Sequence, residues 1–112
     1  MTRSRRIAHE LQAAASELRD QLHQIDFKSV CDWVYNPLDY AWEPYCEYLK
    51  RYRQATAKTL FMGMNPGPWG MVQTGIPFGE VTIVRDWLQI QSQASKPEKE
   101  HPKRPIEGYA CT

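Results

Sequence analysis

The sequence predicts an α/β domain, present only as its front part, on three observations. Apolar residues recur at helical spacing through the first quarter of the chain, a short apolar run at Lys58-Thr59-Leu60-Phe61-Met62 reads as a buried strand, and a glycine- and proline-punctuated loop hangs directly on that strand. A single strand cannot satisfy its own backbone donors and acceptors, and parallel neighbours come from further crossover units. The expected sheet is therefore incomplete in these 112 residues.

Each element follows from local pattern. Ile7, Leu11, Ala14, Leu18, Leu22 and Ile25 fall three or four apart and predict one amphipathic helix whose stripe faces a core or a partner helix. Asn36-Pro37 should break the chain, because the residue before proline is driven extended. A second helix should start near Glu43 with Pro44 in its first turn and run through Tyr45, Tyr48, Leu49 and Tyr52 to about Arg53. Beyond the loop, Glu80 to Ile90 carries a third helical pattern through Val81, Val84, Trp87 and Leu88. From about residue 91 the apolar pattern stops, and Ser92 to Arg104 reads as an extended or poorly ordered polar tail. The expected division is an N-terminal helix over 1–26 and a partial domain over 27–112.

Composition narrows the function classes. Hydrophobic residues make up 42% and charged residues 24%, which argues against wholesale disorder. The net charge of +1 advertises no nucleic-acid partner, although Arg3, Arg5 and Arg6 and the Lys50-Arg51-Arg53 cluster are locally basic. Cys31, Cys46 and Cys111 form neither a C-x-x-C clip nor an even disulfide framework, so reduced thiols are expected. No apolar run approaches the roughly 18 residues of a membrane span.

The loop Gly63-Met64-Asn65-Pro66-Gly67-Pro68-Trp69-Gly70-Met71 carries the chemistry. Loops that follow strands of open α/β sheets are where small molecules bind. Pro66 and Pro68 fix φ angles and hold the Asn65 amide in place, while the glycines let backbone approach a ligand. Met64, Asn65, Trp69, Met71 and Phe78 would set one amide among apolar and aromatic groups, the composition of a pocket for a flat, polar-edged ligand. A purely structural turn is the alternative. The loop has neither the ending of a P-loop nor G-x-G-x-x-G spacing. His9 and His23 lie near the polar side of the first helix, His101 sits in the tail without a companion nucleophile, and Ser92 and Ser95 have no nucleophile-elbow context. The scattered His and Cys form no ligand pattern, so no metal is expected.

The loop and its continuation Gln73-Thr74-Gly75-Ile76-Pro77-Phe78-Gly79-Glu80-Val81 closely resemble the first active-site motif of the single-strand-selective monofunctional uracil-DNA glycosylases. Similarity extends to Tyr35-Asn36-Pro37-Leu38-Asp39-Tyr40-Ala41-Trp42-Glu43-Pro44, Val84-Arg85-Asp86-Trp87-Leu88 and Glu100-His101-Pro102-Lys103-Arg104-Pro105, covering roughly residues 27–108. The resemblance implies a three-layer α/β/α fold and excision of uracil, and of oxidised pyrimidines such as 5-hydroxymethyluracil, from single- and double-stranded DNA. The nucleotide is flipped into a pocket, an abasic site is left for base-excision repair, and no cofactor is used. By position it implies that Asn65 orients the hydrolytic water, that Met64 contacts the uracil edge through its backbone, that Phe78 stacks on the base, and that Gly67 and Met71 shape the pocket floor. Trp69 stands where relatives carry Phe.

The family's second motif, a His-Pro-Ser segment whose His stabilises the uracil anion, is absent, as is the Asn that reads the uracil amide edge. His101-Pro102 imitates that motif with different flanks and is not assigned catalysis. The resemblance therefore implies the first half of a nuclear, monomeric repair enzyme, with little activity in the isolated chain. The rival expectations are a non-catalytic binding or regulatory form, and an unrelated small nucleotide-binding domain.

Overall fold

The computed structural model describes residues 1–112 and contains helices, turns and extended segments, with no β-strand. Helix α1 spans Arg3–His23, α2 Pro37–Tyr40, α3 Trp42–Tyr52 and α4 Met71–Thr74; a π-helical segment Ile83–Trp87 and a 3₁₀ turn Gly108–Ala110 follow.

Thr2 starts α1, its side chain accepting from the Arg5 amide at 3.3 Å. The face that α1 buries is not the expected stripe. Ala8 and Ala15 are buried, whereas Leu11, Leu18 and Ile25 remain 44–52% exposed. Alanines seven positions apart share one face and let neighbouring backbone come close, which leaves the leucine stripe at the edge of the contact. Asn36 is extended, as expected before proline, and caps α2 by accepting from the Leu38 amide at 3.2 Å. Its Nδ2 donates to the Arg19 carbonyl at 3.3 Å and ties α2 to α1. Helix α3 forms where expected, with Pro44 in its first turn.

The expected strand at Lys58–Met62 does not form. Leu60, Phe61 and Met62 are 79–87% exposed, because no neighbouring strand is present to pair their backbone or cover their side chains. The third helix is replaced in part by the π-helical segment, where the Leu88 amide donates to the Ile83 carbonyl at 2.8 Å. The wider turn keeps Val81 and Val84 buried but turns Trp87 outward, 76% exposed.

The segment after Gln91 is extended, but it folds back and is tied down. Glu47 accepts from the Gln91 and Ser92 amides at 2.9 and 2.8 Å, and the Ser95 amide and hydroxyl both donate to the Tyr40 carbonyl at 2.8 Å. The Tyr35 hydroxyl donates to the Arg104 carbonyl and accepts from the His101 amide, each at 2.7 Å. Ile106 closes one small core with Tyr40 and Ala41; Ile76, Val84 and Ile90 form the other. Hydrophobic periodicity misses this packing because tyrosine hydroxyls and one carboxylate hold the tail by its backbone.

Candidate active-site cleft

Two glycines and a threonine set the loop geometry after α4. Gly75 closes α4 at φ +78°, and a Cβ there would lie 2.6 Å from the Ala41 Cβ and 2.8 Å from its carbonyl oxygen. A Cβ on Gly79 would lie 2.6–2.7 Å from Ile76 and Val84 atoms. Thr74, fully buried, donates to the Gly79 carbonyl at 2.8 Å and accepts from the Ile76 amide at 3.2 Å. The Gly79 amide donates to the Ile76 carbonyl at 2.9 Å, so Ile76–Gly79 is a tight turn. Pro77 occupies its second position, and Phe78 adopts φ +57° at the third, where glycine is usual. A bulky residue held in the left-handed region is strained by about 1–3 kcal/mol, and such strain clusters at ligand clamps.

The result is a cleft of about 620 Å³ between the end of α1, the start of α2 and the Gly-rich loop. Met64, Asn65, Gly67, Met71 and Phe78 all line it. Phe78 is 70% exposed, and its ring edge lies against Gly63, where a Cβ would sit 3.4 Å from Cζ. Asn65 Nδ2 donates to the Pro66 carbonyl at 3.0 Å, which leaves Oδ1 with no protein donor. Met64 is 97% exposed, so only its backbone is offered with any rigidity. A Cβ on Gly67 would meet nothing within 4 Å, so packing in this chain does not demand glycine there.

Trp69 is not part of this cleft. It lies across the loop, lining a second recess of about 490 Å³ with Trp33 and His101. His101 meets Trp33 edge-on at 5.1 Å, and its Nδ1 accepts from the Lys103 amide at 3.0 Å. His23 is exposed, 3.6 Å from Asp39, and the three cysteines are free. Leu18 and Leu22 of α1, part of the stripe expected to face a core or a partner helix, supply an apolar wall of the cleft.

The only ionisable group lining the cleft is Glu80. The Thr82 amide, donating at 2.8 Å, and the Ile83 amide at 3.2 Å hold its carboxyl below the usual range. That carboxylate is committed to capping and is not a free base. Gln73 was missed by sequence reading: its Nε2 donates to the Pro68 and Pro105 carbonyls, and its Oε1 accepts from the Glu107 and Gly108 amides. It braces the loop against the tail, and a lone Gln between Val72 and Thr74 carries no signal for that role. The cleft thus offers a neutral amide, an exposed aromatic face and apolar walls. It can hold a flat ring and orient a water, but it has no strong base.

No protein-family model matches the sequence. The chain is similar to the single-strand selective monofunctional uracil-DNA glycosylases of Bos taurus and Rattus norvegicus, each 53% identical over 94 residues, and of Mus musculus, 52% identical over 94 residues. Each match covers 84% of this chain and 34–35% of the relative. The chain spans about a third of the length of the curated relatives it matches.

Proposed function

This chain is a homologue, over the third of their length that it spans, of the single-strand selective monofunctional uracil-DNA glycosylases, and from that premise we propose that its cleft is one wall of a site that hydrolyses the N-glycosidic bond of uracil in DNA. The observation that carries this reading is the convergence of Met64, Asn65, Gly67, Met71 and Phe78 on one cleft, with Phe78 held at φ +57°. Phe78 offers its face to a flipped base, and the Met64 backbone reads the base edge. Asn65 Oδ1, free of protein donors, accepts from the attacking water. An amide orients water without deprotonating it, so bond cleavage runs ahead of attack through a sugar of oxocarbenium character. The C1′–N1 bond breaks first, its electron pair leaving with uracil as an anion; water then bonds to C1′, its released proton neutralises the uracil anion, and an abasic site remains.

Oxidised pyrimidines are proposed as further substrates, and single- and double-stranded uracil-containing DNA as the partner, bound by a monomer in the nucleus. Within a chain of the relatives' full length, Lys58–Met62 would pair as the first strand of a three-layer α/β/α sheet; the bare side chains of Leu60, Phe61 and Met62 support that reading. The stretch 1–26 acts as a helical lead-in to the partial domain of 27–112.

Anion stabilisation by a His-Pro-Ser segment is missing here, and one oriented donor is worth about 2.7–4 kcal/mol in hydrolases. The isolated chain is therefore expected to release little uracil. Fusing it to the remaining two thirds of the bovine relative should restore release from a single-stranded oligonucleotide, and Asn65→Ala should lower that rate by about 100-fold or more. A fusion that folds and releases uracil at the same rate with Asn65→Ala would overturn the assignment. The exposed Leu60-Phe61-Met62 run also favours a second reading, a non-catalytic form that engages a partner. A folded fusion without any release would support that reading.

A further inference from the structure

A basic recess of about 570 Å³ lies between the N-terminal half of α1 and the end of α3, away from the cleft. Arg5, Ala8, His9 and Gln12 line it from α1, Met1 from just before α1, Lys50 from α3 and Arg53 from just past the end of α3. No carboxylate lines it. Arg5, Lys50 and Arg53 take part in none of the ion pairs of the structure, whereas the neighbouring Arg6 and Arg51 are paired with Glu10 and Glu47. The Arg53 Nε is buried without a hydrogen-bond acceptor. The first turn of α1 holds arginines and no acid, which opposes the helix dipole and costs helix stability.

We propose that this recess binds backbone phosphates of a single-stranded DNA whose target nucleotide occupies the cleft. Three cationic groups and an imidazole spread over 570 Å³ are more than one phosphate needs and suit successive phosphates of one strand. The recess and the cleft lie roughly 20 Å apart along α1 and about 100° apart around its axis. A flexible strand can turn that corner, whereas a straight duplex cannot. The choice of DNA rests on the proposed glycosylase reading; the phosphate chemistry does not.

The test uses a uracil-free, fluorescently labelled single-stranded oligonucleotide and the whole 112-residue chain, read by anisotropy across a salt series. Arg5→Gln with Lys50→Gln should weaken binding about 10-fold and flatten the log–log salt slope by about 0.7 per lost phosphate contact. Lys28→Gln with Lys58→Gln, the same charge change elsewhere, should weaken it less than about 2-fold. Circular dichroism verifies that both double variants keep the parent helix content. Equal weakening by the two double variants would overturn the proposal, as would competition by inorganic phosphate with no effect of Arg5→Gln and Lys50→Gln on DNA. Because the oligonucleotide lacks uracil, loss of glycosylase activity and loss of this site are read separately.

Discussion

Phe78 and Gly79 show how residue type and backbone geometry are traded at the cleft. Phe78 occupies φ +57° although a glycine would adopt it without strain, and it is largely exposed, so its burial does not compensate. Phe78→Gly should therefore not lower stability by more than about 0.5 kcal/mol, the relief of strain offsetting the entropy that glycine loses. The same substitution in the active fusion should cost uracil release about 10-fold or more, since base stacking is worth about 1–3 kcal/mol. Thermal melts and release rates on one variant pair check both. Gly79 is the opposite case: Ile76 and Val84 atoms lie 2.6–2.7 Å from where a Cβ would stand. Gly79→Ala should cost about 1–3 kcal/mol by overpacking, visible as a lowered urea midpoint. The identities at 78 and 79 were legible in the motif, but which of the two is sterically compelled was not. That depends on Ile76 and Val84 folding back over the turn.

At the scale of elements, the tail is held by polar side chains rather than by an apolar stripe. Burial by itself would raise the pKa of Glu47, but the Gln91 and Ser92 amides, the Ser92 hydroxyl and the Arg51 guanidinium outweigh it and bring the carboxyl down to about 2. Its folded pKa lies below the unfolded value, so the stability it contributes is fully present above about pH 4.5. That contribution is lost as the pH falls toward 2. Urea unfolding of the parent chain and of Glu47→Gln across pH 2–6 should converge at the acid end and separate above pH 5. Gln73 plays the matching part at the other end of the tail. Gln73→Ala should expose the Glu107 and Gly108 amides to faster hydrogen exchange, while the α1 amides keep their protection.

At the scale of the whole molecule, 18 of 112 residues are buried, and the radius of gyration of 14.5 Å exceeds the roughly 13 Å of a compact domain of this length. The core is thin, and the bare Leu60-Phe61-Met62 run adds to the exposed apolar surface. The isolated chain should bind a hydrophobic dye, and Phe61→Ser should reduce that binding while moving the melt by no more than about 0.5 kcal/mol. Dye fluorescence and circular dichroism on the two proteins check this. No helix is long and apolar enough to cross a membrane.

The sequence by itself determined α1, the break at Asn36-Pro37, α3 and the residues of the Gly-rich loop. These rest on interactions within a few positions: a capping threonine, a proline that fixes φ, apolar spacing. Its resemblance to the glycosylases also named Met64, Asn65, Gly67, Met71 and Phe78 together, and the structure brings all five to one cleft. Tertiary structure alone decided that α1 packs through Ala8 and Ala15, that Trp69 faces the other recess, that Gln73 and Glu47 bind the tail, and that Lys58–Met62 stays unpaired. Each of these turns on contacts between residues far apart in the chain. A strand is the clearest case, because its hydrogen bonds belong to a neighbour, and no local pattern can supply one.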